Sequence, residues 1–212
     1  MGVSGRLRTF RPTLDLLANR WSDAGPLLPA FPLLARGGPL SVDEIARAAG
    51  VEARRVGRAL EAARCERDAE GRVLELYGLT LTPTSQRLEI QGKVLFACCA
   101  LWAHVIPKLV DATVRIESVD PVRQEVVRLS LTPHGVESAD PTGCAATLAV
   151  AQKEAITTDV GGAFCSHVRH HVSRESAEEF AAAGPTRHAV GLAELQEAAD
   201  YLYGAIWRAA GA

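Results

Sequence analysis

Apolar positions fall at helical spacing at the start of the chain. Leu14, Leu17 and Trp21 mark one stripe, predicting a helix over 10–20, and Leu28, Phe31 and Leu34 mark a second over 27–36, with the breakers Gly25 and Pro26 between them. Ser41-Val42-Asp43-Glu44 then reads as a capping box: the Ser41 hydroxyl takes an orphan backbone N–H, Glu44 reaches back, and the helix they open runs through Ala49 and stops at Gly50. A further helix over 52–64 turns Val56, Leu60 and Ala63 inward and Arg54, Arg55 and Arg58 outward. After a turn at 68–71, the alternating Leu74, Leu76 and Leu79 predict a strand or wing over 73–81. Helix, turn, helix and hairpin is the winged helix-turn-helix pattern.

From residue 88 to 150 the period changes. Leu88 and Ile90 lead into a turn at Gln91-Gly92, and Val114, Ile116, Val126, Val127, Leu129 and Leu131 lie in short β-branched stretches. Turns at Asp120-Pro121, 133–135 and 140–143 divide them into several antiparallel strands. Within this region the run from Leu95 to His104 is apolar nearly all round, with no turn residue before Pro107, and predicts a buried helix. Beyond Gly161-Gly162, residues 163–171 read as a strand or loop, and two helices over 174–183 and 192–208 close the chain, the second with Leu192, Leu195, Ala199, Leu202 and Ile206 along one stripe. The fold class is α+β, with a helical winged-helix-like domain over 1–81 and a mixed domain of antiparallel sheets surrounded by helices over 82–212.

Composition narrows the function. With 212 residues, 48% hydrophobic and 23% charged, the chain has the balance of a globular protein with a sizeable core. Residues 1–80 hold twelve Arg against ten Asp and Glu, an excess too small for the basic footprint of a DNA-binding domain, so Arg54, Arg55 and Arg58 read as a solvated face. No apolar run approaches the roughly 18 residues that cross a bilayer, and Met1-Gly-Val-Ser-Gly-Arg6 has no signal-peptide stretch. A cytoplasmic protein with neither DNA nor membrane as partner is expected. Five cysteines, an odd number with no Cys-x-x-Cys pair, argue for reduced thiols.

The chemistry-bearing residues are therefore thiols and imidazoles. Cys99 and Cys165, brought together from distant positions, would hold a soft metal, because thiolate sulfur prefers such ions to hard cations. On one helix Cys98 and Cys99 would point about 100° apart, so at most one of them should share a site with Cys165. Cys165, His167, His170 and His171 are permitted zinc ligands, yet on a strand Cys165 and His167 would face away from His170, and no second Cys/His cluster completes a tetrahedral site. The chain has no Gly-x-Ser-x-Gly elbow and no Gly-rich phosphate loop.

Three stretches together resemble the organomercurial (alkylmercury) lyase family: Tyr77-Gly-Leu-Thr-Leu-Thr-Pro-Thr-Ser85, Leu95-Phe-Ala-Cys-Cys-Ala-Leu-Trp102 running on to Ile106-Pro107, and Ala163-Phe-Cys-Ser-His-Val168. The resemblance spans most of residues 40–170. It implies protonolysis of a carbon–mercury bond, with Cys99 and Cys165 as the two metal-binding cysteines and an amino-terminal domain that does not serve DNA binding. The family carries an aspartate three residues after the first cysteine; here that position is Trp102, and Cys98, His104 and His167 are the candidate replacement proton donors. No cofactor is required; mercury(II) or another soft metal stays on sulfur as product. The implied substrate is a small organometallic or other electrophile, and low-molecular-weight thiols or a mercuric reductase are the implied metal acceptors. The alternative on the same scaffold is a non-catalytic protein that binds or senses a soft metal through the thiols.

Overall fold

The computed structural model describes residues 7–20, 22 and 24–211. Trp21 of the first predicted stripe and the opening Met1–Arg6 stretch lie outside the described residues. Helix α1 (Leu7–Asn19) buries Leu7, Phe10, Leu14 and Leu17. The second predicted helix is a 3₁₀ turn over Gly25–Ala30 followed by the short α2 (Phe31–Leu34). Pro26, Pro29 and Pro32 lack the N–H groups a regular helix would use there.

The capping box is formed as read. Ser41 Oγ accepts from Glu44 N at 3.2 Å, Ser41 N donates to Glu44 Oε2 at 2.8 Å, and α3 (Val42–Ala49) ends at Gly50 with φ of 65°. Helix α4 (Ala53–Ala63) follows and stops on Arg64, itself left-handed at φ 56°. Strands β1 (Glu75–Leu76) and β2 (Leu79–Thr80) form a hairpin around Tyr77 and Gly78, whose φ angles of 41° and 97° are the pair of positive values that a tight two-residue hairpin turn needs.

Strands β3 (Gln86–Ile90) and β4 (Lys93–Ala97) turn at Gln91-Gly92 as expected, and β5 (Val114–Val119), β6 (Val126–Thr132) and β7 (Gly135–Asp140) complete an antiparallel sheet of order β1-β2-β4-β3-β5-β6-β7. Because β2 pairs with β4, a division of the chain at residue 81 passes through one sheet, and one hydrophobic cluster runs across it from Leu17 to Ile206. The second sheet, of order β10-β8-β9, consists of β8 (Ala145–Ala149), β9 (His170–His171) and β10 (Arg187–Gly191). The pattern of residues 187–191 gave no warning of β10, because it is short and carries one buried residue, Val190.

The expected helix from Leu95 is corrected. Residues 95–97 are the end of β4, and helix α5 begins only at Ala100, passing through Pro107 to Val110 with every residue but Lys108 buried. A fully buried strand and a fully buried helix are equally apolar, so nothing in the residue pattern marks where one becomes the other. Of the strand-or-loop reading over 163–171, the loop holds at Cys165, which lies in a 3₁₀ turn over Cys165–His167, and only His170–His171 are strand; short helices α6 (Lys153–Thr158) and α7 (Val160–Ala163), which the pattern did not announce, precede them. The closing helices α8 (Arg174–Ala182) and α9 (Leu192–Ala209) match the predicted pair.

Candidate active site

The junction between β4 and α5 puts two neighbouring cysteines in a bend rather than on a helix. Cys98 N–H donates to the Gly78 carbonyl at 2.9 Å, tying the bend to the β1–β2 hairpin. Cys99 is the N-cap of α5 with extended backbone (φ −160°, ψ 173°), and Ala100 N–H donates to the Val168 carbonyl at 3.1 Å, which draws in the turn carrying Cys165. Three sulfurs therefore meet. Cys98 Sγ lies 3.3 Å from Cys165 Sγ, and the Sγ atoms of Cys98, Cys99 and Cys165 are all within 4.8 Å of one another. The expectation that only one of the adjacent cysteines would share a site with Cys165 fails because it assumed helical geometry at both.

The three thiols do not share their protons evenly. Burial by itself pushes the Cys99 thiol up, but it is overcome by hydrogen bonds from the Cys165 and Cys98 thiols and from the backbone N–H groups of Trp102 and Leu101, so Cys99 is held well below the ordinary thiol range. A helix start supplies such N–H groups and a partial positive charge in one place. Cys98 is held well above that range by its hydrogen bonds to Cys165 and to Cys99, with burial adding to both. For Cys165 the contact with Cys98 lowers and the contact with Cys99 raises; with burial and the Cys99 charge added, it too is held well up. Of the three, Cys99 is thus the one whose surroundings favour the thiolate, while those of Cys98 and Cys165 favour the thiol.

A cavity of about 290 Å³ opens on Cys98 and Cys165, with Trp102, Tyr77, Arg20 and Glu75 among its walls. The Trp102 indole is packed against Gly78, where a Cβ would stand 2.5 Å from the indole Cγ. Cys65 also faces this cavity; burial, followed by the Glu75 charge, pushes its thiol up to about 12. Cys144 lies beside β8, outside the cluster, its thiol raised by burial to about 11.

Two of the three candidate proton donors are placed elsewhere. His104 Nδ1 faces Gln196 Oε1 at 2.9 Å and its Nε2 faces His170 Nε2 at 3.2 Å, while His170 Nδ1 meets Gln86 Oε1 at 2.8 Å. This is a buried polar chain on the side of α5 away from the cavity. His167 accepts from Arg187 Nε at 3.1 Å through its Nδ1 and lines no part of the cavity. His171 is turned to Asp120, 3.4 Å from Oδ1, so the imidazoles following Cys165 do not converge with its sulfur into a zinc site. Only Cys98 stands at the thiol pair. Arg54, Arg55 and Arg58 are exposed on α4.

Sequence reasoning passed over Glu75. It read as one of the polar neighbours alternating with Leu74 and Leu76, when in fact that side of the hairpin faces the cavity and not bulk water. A carboxylate two residues before a positive-φ Tyr77-Gly78 turn, next to a buried Leu76, was the signal available.

An α+β fold in which a helix start, a bend and a 3₁₀ turn bring two buried thiols and a half-buried one together defines a protein with a sulfur site able to hold a soft metal ion. The family model for alkylmercury lyase (MerB) matches residues 79–204. The alkylmercury lyase of Staphylococcus epidermidis is 35% identical over 153 residues, covering 72% of this chain and 69% of that protein. That of Bacillus cereus is 30% identical over 153 residues, and that of Streptomyces lividans is 27% identical over 170 residues, covering 80% of this chain and 77% of that protein. A crystal structure of the mercury-bound form of MerB2 superposes with a TM-score of 0.71 at 18% identity, over 90% of this chain and 98% of that one. The chain belongs to the alkylmercury lyase family.

Proposed function

We propose that the protein cleaves a carbon–mercury bond by protonolysis, with Cys99 as the capturing thiolate and Cys165 as the second sulfur. The observation that carries this is the three-sulfur cluster at the start of α5, where the surroundings hold Cys99 well below the ordinary thiol range and Cys98 and Cys165 well above it. The Cys99 thiolate displaces the weak ligand X from R–Hg–X, giving Cys99–S–Hg–R. Cys165 then closes on the same mercury and gives up its thiol proton, the carbon–mercury bond breaks, and R departs as R–H with that proton. Mercury(II) is left on two sulfurs, as product, with Cys98 beside it. A small thiol or a mercuric reductase would then remove it by ligand exchange.

Trp102 stands where the family resemblance puts an aspartate, and its indole N–H is no proton shuttle at neutral pH. The organic group R fits the cavity walled by Trp102 and Tyr77, so hydrocarbon substituents of methyl to phenyl size are the expected substrates. The test is quantification of methane and benzene released from methylmercury and phenylmercury in excess thiol. Release above one equivalent per protein, absent in Cys99→Ser, is the expected result.

The third sulfur favours a second reading. Three convergent thiols suit trigonal coordination of a soft ion, and a site that keeps its ion would sequester or sense a metal without turnover. Stoichiometric mercury retention with no hydrocarbon would select this reading over the first.

A further inference from the structure

Protonolysis needs a group that takes a proton from Cys165 and returns it to carbon, and neither His104 nor His167 is in position. Among the described residues that line the thiol cavity, the carboxylate is Glu75. One Gly78 peptide unit links it to the cluster: Gly78 N–H donates to Glu75 Oε1 at 3.3 Å, and the Gly78 carbonyl accepts from Cys98 N–H at 2.9 Å. Oε1 is thus tethered, and Oε2 makes no hydrogen bond among the described residues. The far side of Gly78 is closed by the Trp102 indole.

The surroundings suit a carboxyl that changes protonation state. Burial raises Glu75, the Gly78 N–H opposes that, the nearby Glu66 charge adds to it, and the Arg20 charge offsets it in part. In return the Glu75 charge raises both Cys65 and Cys165, so the carboxylate lies within electrostatic reach of the second sulfur. A general acid or base works best with a value near the operating pH, and burial moves Glu75 in that direction.

We propose that Glu75 is the proton carrier of this site, supplied from the hairpin in place of a carboxylate on α5. The proposal rests on the lyase reading above. Oε2 takes the proton that Cys165 loses as its sulfur bonds to mercury. It then delivers that proton to the carbon as the carbon–mercury bond breaks, leaving R–H, a Glu75 carboxylate and mercury on Cys99 and Cys165. Atoms and charge balance with no added oxidant or reductant.

The experiment is single-turnover release of benzene from phenylmercury by wild type, Glu75→Gln, Glu75→Asp and Cys99→Ser, with intact-protein mass spectrometry of the captured adduct. Glu75→Gln keeps an oxygen for Gly78 N–H, so the hairpin is preserved. The expected result is one equivalent of phenylmercury captured by Glu75→Gln, with release slowed by about 10²–10⁴-fold, and a smaller loss in Glu75→Asp. Release at the wild-type rate by Glu75→Gln would overturn the proposal, as would failure of Glu75→Gln to capture phenylmercury, which would make Glu75 a structural part of the cavity. A wild type that captures phenylmercury and releases no benzene would overturn the lyase reading itself, a result visible without any Glu75 variant.

Discussion

Gly78 and Trp102 are in contact so close that the glycine cannot carry a side chain. A Cβ at Gly78 would lie 2.5 Å from the indole Cγ and 2.7 Å from Cδ2, and the backbone there has φ of +97°. Gly78 also binds Glu75 through its N–H and Cys98 through its carbonyl. One residue thus sets the positions of an acid, a thiol and an aromatic wall.

Gly78→Ala is expected to be costly on two counts: ~1–3 kcal/mol for forcing the indole aside and ~1–2 kcal/mol for a side chain at positive φ. Urea unfolding measures the sum. A loss under about 0.5 kcal/mol, the range of ordinary surface substitutions, would show that Trp102 moves freely.

Cys98→Ala removes one of the hydrogen bonds that hold Cys99 in its thiolate form. The Cys99 value should therefore rise, and the onset of Cys99 alkylation by iodoacetamide should move to higher pH. Thiolate absorbance near neutral pH should fall with it. An unchanged profile would assign the Cys99 thiolate to Cys165 and the helix start alone.

Trp102→Asp places a carboxylate on α5 one turn beyond Cys99. In the Glu75→Gln background it should restore hydrocarbon release by about tenfold or more, since a positioned acid is worth about 10²–10⁴-fold. In the wild-type background the gain should be small, because Glu75 already supplies the proton. Equal gains in both backgrounds would contradict this division of labour.

Stability should fall with acid through the buried histidines. Burial lowers His104 from 6.5 to about 4 and holds His170 well below its ordinary value, and both stay neutral in the fold. The unfolded chain binds protons at these positions near pH 6.5, the fold only near pH 4 or below, so unfolding takes up protons and stability drops as pH falls through that window. Above pH 7 these groups contribute no slope. Urea midpoints at pH 7, 5.5 and 4.5 test it, and a His104→Leu/His170→Leu double variant should show the shallower dependence.

Local punctuation made much of the architecture readable. Ser41 and Glu44 announced α3, Gly50 ended it, Gln91-Gly92 turned β3 into β4, and the stripe from Leu195 to Ile206 predicted α9. The three family-like stretches pointed to Cys99 and Cys165, and the structure brings their sulfurs together with that of Cys98. What stayed hidden is tertiary. From Val94 to Ile106 nothing polar marks the change from strand to helix before His104, so the bend that turns Cys98 and Cys99 toward one point had no sequence signature. Glu75 was hidden differently, since a polar residue in an alternating hairpin reads as solvent-facing until the opposite wall is known.

The walls of that cavity come from distant parts of the chain. Leu17 and Arg20 on and just after α1, Ala63 and Cys65 at the end of α4, and Glu75 and Tyr77 in the hairpin all precede residue 79, where the family match begins. The residues matched by the family model hold the sulfurs of Cys98, Cys99 and Cys165, while much of the wall around them comes from residues that precede that match. The wall that an organic group would meet and the sulfurs that would hold its metal are therefore set by separable stretches of chain, and exchanging residues 1–77 with those of a relative should change which groups fit while the three sulfurs stay together.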